Sequence, residues 1–86
     1  MSNKEYIRQL ANFLIQTETT MNAENLAEHL NWNNFKTTYD TEYEGGRGTY
    51  RLIHTTYDWL TEKGLKDEAE NVAKAFKKPN GGFAYE

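Results

Sequence analysis

Cysteine is absent from the 86 residues, so neither a disulfide nor a thiolate metal site supports the fold, and no thiol nucleophile is present. Proline occurs once, at Pro79, and no Pro/Ser linker, internal repeat or low-complexity tract divides the chain. Long hydrophobic runs are missing. Phe13-Leu14-Ile15 is as long as any becomes, far short of the roughly 18–20 apolar residues of a membrane span. Met1-Ser2-Asn3-Lys4-Glu5 lacks the basic-then-apolar layout of a signal peptide. These absences set the expectation of a cytoplasmic protein with no membrane association.

The length is room for one domain. A chain this short buries only roughly 60–65% of the surface it exposes when unfolded. Aromatic residues are plentiful, at 14%, and they are the expected source of the core. The formal net charge is −3, whereas nucleic-acid-binding domains usually carry a positive balance. What counts for such a ligand is the charge on one face.

The pattern of residues predicts a mostly α, four-helix single domain over 1–86. The first helix is expected over about 3–17. Ser2 and Glu5 form the S-x-x-E capping box at its start. Ile7, Leu10, Ala11 and Leu14 fall on one face, widened by Tyr6, Phe13 and Ile15. The second helix is expected over about 23–30, with Asn22 as N-cap and Leu26, Ala27 and Leu30 facing inward. Residues 31–48 hold no helical period and read as irregular, with Trp32 and Phe35 in the core; Tyr39, Tyr43 and Tyr50 are open between the core and base stacking.

The third helix is expected over about 49–63, with Tyr50, Ile53, Tyr57 and Leu60 inward, flanked by Leu52, Thr56 and Trp59, and Gly64 as its stop. The fourth is expected over about 66–78, ended by Pro79. Its acids stand at the start and its lysines at the end, as the helix dipole favours. Phe83-Ala84-Tyr85 is at most a short terminal strand.

No catalytic constellation emerges. His54 and Asp58 stand i, i+4 on the third helix, but a metal site needs three or four ligands and no others accompany them. His29 and its neighbour Glu28 point different ways on a helix. The acids Asp67, Glu68 and Glu70 are explained by the helix start, and Glu42 with Glu44 reads as a solvated loop pair. The expectation is no enzyme, no cofactor and no metal. Gly45-Gly46-Arg47-Gly48-Thr49 is neither a Walker A motif nor G-x-G-x-x-G. Glycines leading into a helix start can expose N–H groups to a phosphate, or can simply permit a sharp turn.

The run Leu26-Ala27-Glu28-His29-Leu30-Asn31-Trp32-Asn33-Asn34-Phe35-Lys36-Thr37 resembles a helix-turn-helix in the recombinase region of serine site-specific recombinases and in related phage-type DNA-binding modules. The pattern there is roughly L-A-x-x-L-N-x-x-G-apolar-x-T, then a small turn, an aromatic and a base-contacting helix. Leu26, Ala27, Leu30, Asn31, Phe35 and Thr37 match it, Tyr43 stands at the aromatic, and Thr49-Tyr50-Arg51-Leu52-Ile53 matches the start of the last helix. Asn34 and Asp40 stand where the pattern prefers glycine, and both residue types tolerate the left-handed conformation. The resemblance covers about a third of the chain.

It implies a helix-turn-helix core, plain or winged-helix-like, in an accessory or regulatory factor of a mobile element that binds double-stranded DNA. The second helix would brace the third, whose start would enter a groove. The residues it points to are Arg47, Thr49, Arg51 and His54, with Lys36 on the backbone. Asp40, Glu42 and Glu44 in the middle segment would repel phosphate. They and the acidic total favour the alternative, an acidic protein-interaction module of the same fold with a protein partner. Oligomeric state is left open.

Overall fold

The structure is a computed structural model and describes residues 2–44 and 47–85. Among them the chain is mostly helical, in the order α1 (Asn3–Gln16), β1 (Met21–Asn22), α2 (Ala23–Trp32), α3 (Arg47–Glu62), α4 (Lys66–Ala75) and β2 (Phe76–Lys77).

Caps place the first two helices where the sequence expects them. Ser2 Oγ accepts from Glu5 N at 3.1 Å, and Asn22 Oδ1 accepts from Asn25 N at 2.8 Å. Each satisfies a backbone donor that the first turn leaves without a partner. The closures are equally local. Glu18, Asn34 and Gly64 all take positive φ, at 57°, 62° and 81°. After α1, Glu18 N donates to Ile15 O and Thr19 N to Leu14 O. After α2, Asn34 N donates to Asn31 O and Phe35 N to Leu30 O. After α3, Gly64 N donates to Thr61 O and Leu65 N to Leu60 O. This is the Schellman pattern three times over, with one left-handed residue at each helix end. Asn34 thus does the work that glycine does elsewhere, and Asp40, at φ 60°, turns the following loop in the same way.

The helices enclose a single core. Ile7, Ala11 and Leu14 of α1 meet Ala69, Val72 and Ala75 of α4, and α3 closes over both with Ile53 and Leu60. A polar seam ties α1 to α4: Glu68 Oε1 accepts from Arg8 Nε at 2.9 Å and from Asn12 Nδ2 at 2.8 Å, while Asn71 Nδ2 donates to Asn12 Oδ1 at 2.9 Å.

Several expectations are corrected. Helix α2 continues through Asn31 and Trp32, and the Trp32 side chain is 86% exposed instead of lying in the core. Leu30 is fully buried, and two residues along a helix turn roughly 200°, so Trp32 points away. Phe35 is half-buried against Tyr6, with ring centroids 4.8 Å apart. Phe13 is 59% exposed, because it lies about 100° round the helix from the buried Leu14.

The inward stripe of α3 is Thr49, Ile53, Thr56 and Leu60, with Leu52 beside it, while Tyr50 and Tyr57 are only half-buried. Both threonines are satisfied inside: Thr56 Oγ1 donates to Leu52 O at 2.7 Å, and Thr49 Oγ1 donates to Glu44 O. Helix α4 stops at Ala75, short of Pro79. Phe76 and Lys77 become a strand that pairs in parallel with β1, Met21 opposite Phe76 and Asn22 opposite Lys77. The terminal segment contributes only an antiparallel bridge between Lys77 and Phe83, with Ala84 N donating to Phe76 O at 2.9 Å.

Candidate nucleic-acid interface

The segment joining α2 to α3 is held at its base by three polar side chains. Asn31 Nδ2 donates to Tyr43 O at 2.7 Å, and Tyr43 N donates back to Asn31 Oδ1 at 2.7 Å. Thr49 takes the carbonyl of Glu44. Asn3, at the start of α1, donates to Lys36 O at 2.7 Å and to the Tyr43 hydroxyl at 2.6 Å. The Tyr43 side chain is buried beneath the loop. Burial pushes its hydroxyl above the ordinary tyrosine range, and the Asn3 donor partly opposes that shift.

Above this base the loop tip is braced by Thr37. Its N–H donates to Thr41 O and its carbonyl accepts from Asp40 N, both at 2.9 Å. Thr37 Oγ1 lies 2.7 Å from Thr41 Oγ1 and accepts from Tyr39 N at 3.2 Å. The braced turn holds Tyr39 outward, 81% exposed.

An open groove runs between this loop, the start of α1 and the first turns of α3. Lys4, Lys36 and Arg51 line it from three separate elements. Asp40, Glu42 and Glu44 line it from the loop, so among the described residues the formal charges around it cancel. Cations that can meet phosphate oxygens and carboxylates that can accept from amino groups therefore share one surface.

The residues expected to bind nucleic acid divide. Lys36 and Arg51 are exposed and face the same groove. Thr49, expected among the nucleic-acid-binding residues, does not reach it: the residue is fully buried and its hydroxyl is spent on Glu44 O. His54 lies apart, half-buried and stacked on Tyr85 with centroids 4.8 Å apart. It lines a different, shallow depression with Tyr50 and Lys78. The Arg47 side chain and the Gly45-Gly46 pair lie outside the described residues. Gly48 sits within α3, and a Cβ there would meet Thr37 and Tyr43 at an ordinary 3.9 Å, so no close backbone approach demands glycine. No group of three or more potential metal ligands occurs among the described residues, and His54 and Asp58 gain no third partner.

Sequence reasoning missed Lys4, and of the tyrosines it left open between the core and base stacking, Tyr39 is exposed, Tyr43 buried and Tyr50 half-buried. Lys4 reads as a solvated residue of the first turn until the chain folds back on itself. Asn31 belonged to the recognised run, but its bond to the backbone twelve residues later is a tertiary fact. No helix of the described residues is long and apolar enough to cross a membrane. Comparison with protein-family models, curated proteins and solved structures gives no match.

Proposed function

We propose that the chain is a helix-turn-helix nucleic-acid-binding protein of an accessory or regulatory kind, such as mobile elements carry, and that the groove at the start of α3 is its binding surface. The observation that carries the reading is the convergence of Lys4, Lys36 and Arg51 on that groove from three elements. α2 packs against α3, as a bracing helix does against a recognition helix. Lys36 and Lys4 neutralise phosphates on either side, and Arg51, one turn into α3, supplies a base or phosphate contact.

Fluorescence anisotropy against mixed-sequence duplex DNA tests the reading. Three neutralised phosphates give a log–log salt slope of about −2.7, a roughly 40-fold loss of affinity between about 50 mM and about 200 mM salt. The Lys36→Ala/Arg51→Ala double variant weakens binding and flattens that slope. A protein that binds no nucleic acid even at low salt sinks the reading.

A specific observation favours a second reading, a protein-interaction module of the same fold. Trp32 and Phe13 expose large apolar surface on helices that otherwise pack well. An exposed Trp is a common interface anchor. Association through it would respond little to salt and would be lost in Trp32→Ala.

A further inference from the structure

We infer that the groove takes an unpaired nucleic-acid strand in preference to a duplex, with Tyr39 as the platform on which a base stacks. The inference rests on the nucleic-acid reading above and narrows its substrate class.

Tyr39 carries the argument first. Of the exposed aromatic rings among the described residues, Tyr39, at 81%, is the one that borders the groove. Its position is not slack. Thr37 and Thr41 close the turn beneath it, Thr37 Oγ1 holds the Tyr39 N–H, and Asp40 adopts the left-handed conformation that completes the turn. An outward aromatic on a braced turn, beside a groove that offers Lys4, Lys36 and Arg51 to phosphates, is an arrangement on which single strands stack their bases.

The carboxylates carry it second. Asp40, Glu42 and Glu44 share the groove with Lys4, Lys36 and Arg51. Duplex DNA presents a continuous wall of phosphates, with the Watson–Crick edges of its bases turned inward, and such a wall meets three like charges here. An unpaired strand presents phosphates and bare base edges alternately. Its phosphates suit Lys4, Lys36 and Arg51, and the amino groups of cytosine or guanine suit a carboxylate acceptor. The acids that argue against a duplex are therefore complementary to a single strand.

The experiment titrates the whole protein against a labelled mixed-sequence strand of about twelve nucleotides, within the site sizes of small single-strand-binding domains, and against the same sequence as a duplex. The expected result is tighter binding of the strand by about tenfold or more. Tyr39→Ala lowers strand affinity by roughly 5- to 150-fold and leaves duplex affinity unchanged, while Tyr39→Phe, which keeps the stacking face, retains strand binding. An unchanged far-ultraviolet circular dichroism spectrum verifies that each variant folds. Equal or tighter binding of the duplex, or strand affinity indifferent to Tyr39→Ala, overturns the single-strand inference and leaves the nucleic-acid reading standing. Absence of binding to either form removes both.

Discussion

The side-chain amide of Asn31 and the backbone of Tyr43 are joined by two hydrogen bonds of 2.7 Å, one in each direction. The amide mimics the edge of a neighbouring strand. It satisfies both polar groups of a residue whose side chain is buried, and so sets the height of the loop over the groove.

Asn31→Ala leaves the Tyr43 N–H and carbonyl without that partner. A cost of about 2–3 kcal/mol in urea denaturation is expected, since each abandoned group loses its share of desolvation compensation. Asn31→Asp keeps the acceptor but turns a carboxylate oxygen onto the Tyr43 carbonyl, so its cost is at least as large. A wild-type midpoint in Asn31→Ala would show that the loop does not depend on this bond.

Glu18 closes α1 in a left-handed conformation that costs a non-glycine residue roughly 1–2 kcal/mol. Glu18→Gly relieves that strain at the expense of a more flexible unfolded chain. The net expectation is a gain of about 0.5–1 kcal/mol, or a rise of a few degrees in Tm by scanning calorimetry. A lower Tm would contradict this account of the helix end.

Glu68 is held below the usual carboxylate range, chiefly by the hydrogen bond from Arg8 and next by that from Asn12, against the opposing effect of burial. A depressed folded-state pKa adds stability above the unfolded value of about 4.3, and this is lost as the pH falls through the folded value. The Tm difference between the wild type and Glu68→Gln should therefore be largest at neutral pH and shrink below about pH 4. A difference that stays constant on acidification would locate the acid sensitivity elsewhere.

Thr49 separates the two accounts of the start of α3. Thr49→Val keeps the shape and removes the donor to Glu44 O, so a stability loss of about 1–2 kcal/mol is expected, with the salt slope of nucleic-acid binding unchanged. A slope reduced by about one unit would return Thr49 to the phosphate-binding set.

Trp32→Ala removes a side chain that is almost wholly in solvent. Its stability should change by no more than about 0.5 kcal/mol, against the roughly 3–5 kcal/mol that a core tryptophan costs. Chemical denaturation followed by circular dichroism distinguishes the two.

The four helices were legible in the chain because their signals are local. Ser2 and Asn22 cap through bonds three residues away, and Asn34 and Gly64 close through bonds within a single turn. The alternation of Ile7, Ala11 and Leu14, or of Leu26, Ala27 and Leu30, fixes an inward face without reference to any partner. Other features depend on which surfaces meet. The buried line of α3 runs through Thr56, expected only at the flank of that face, and through Thr49, which no hydrophobic count selects, because carbonyls nearby satisfy their hydroxyls. Trp32 lies outside and Tyr43 inside although both are large aromatics, since a helical turn directs one to solvent and Asn31 draws the other under the loop. Phe76 leaves the helical register to pair beside Met21, a strand partner more than fifty residues earlier. The groove follows the same rule. Lys36 and Arg51 were identifiable by charge, but Lys4 joins them only when the loop folds back over the start of α1, where Asn3 binds Lys36 O and the Tyr43 hydroxyl. The sequence by itself determined that four helices form and, through Ser2, Asn22, Asn34 and Gly64, where several of their ends lie. Only tertiary packing decided which aromatics are buried and which charges share a surface, because those outcomes depend on contacts between residues far apart in the chain.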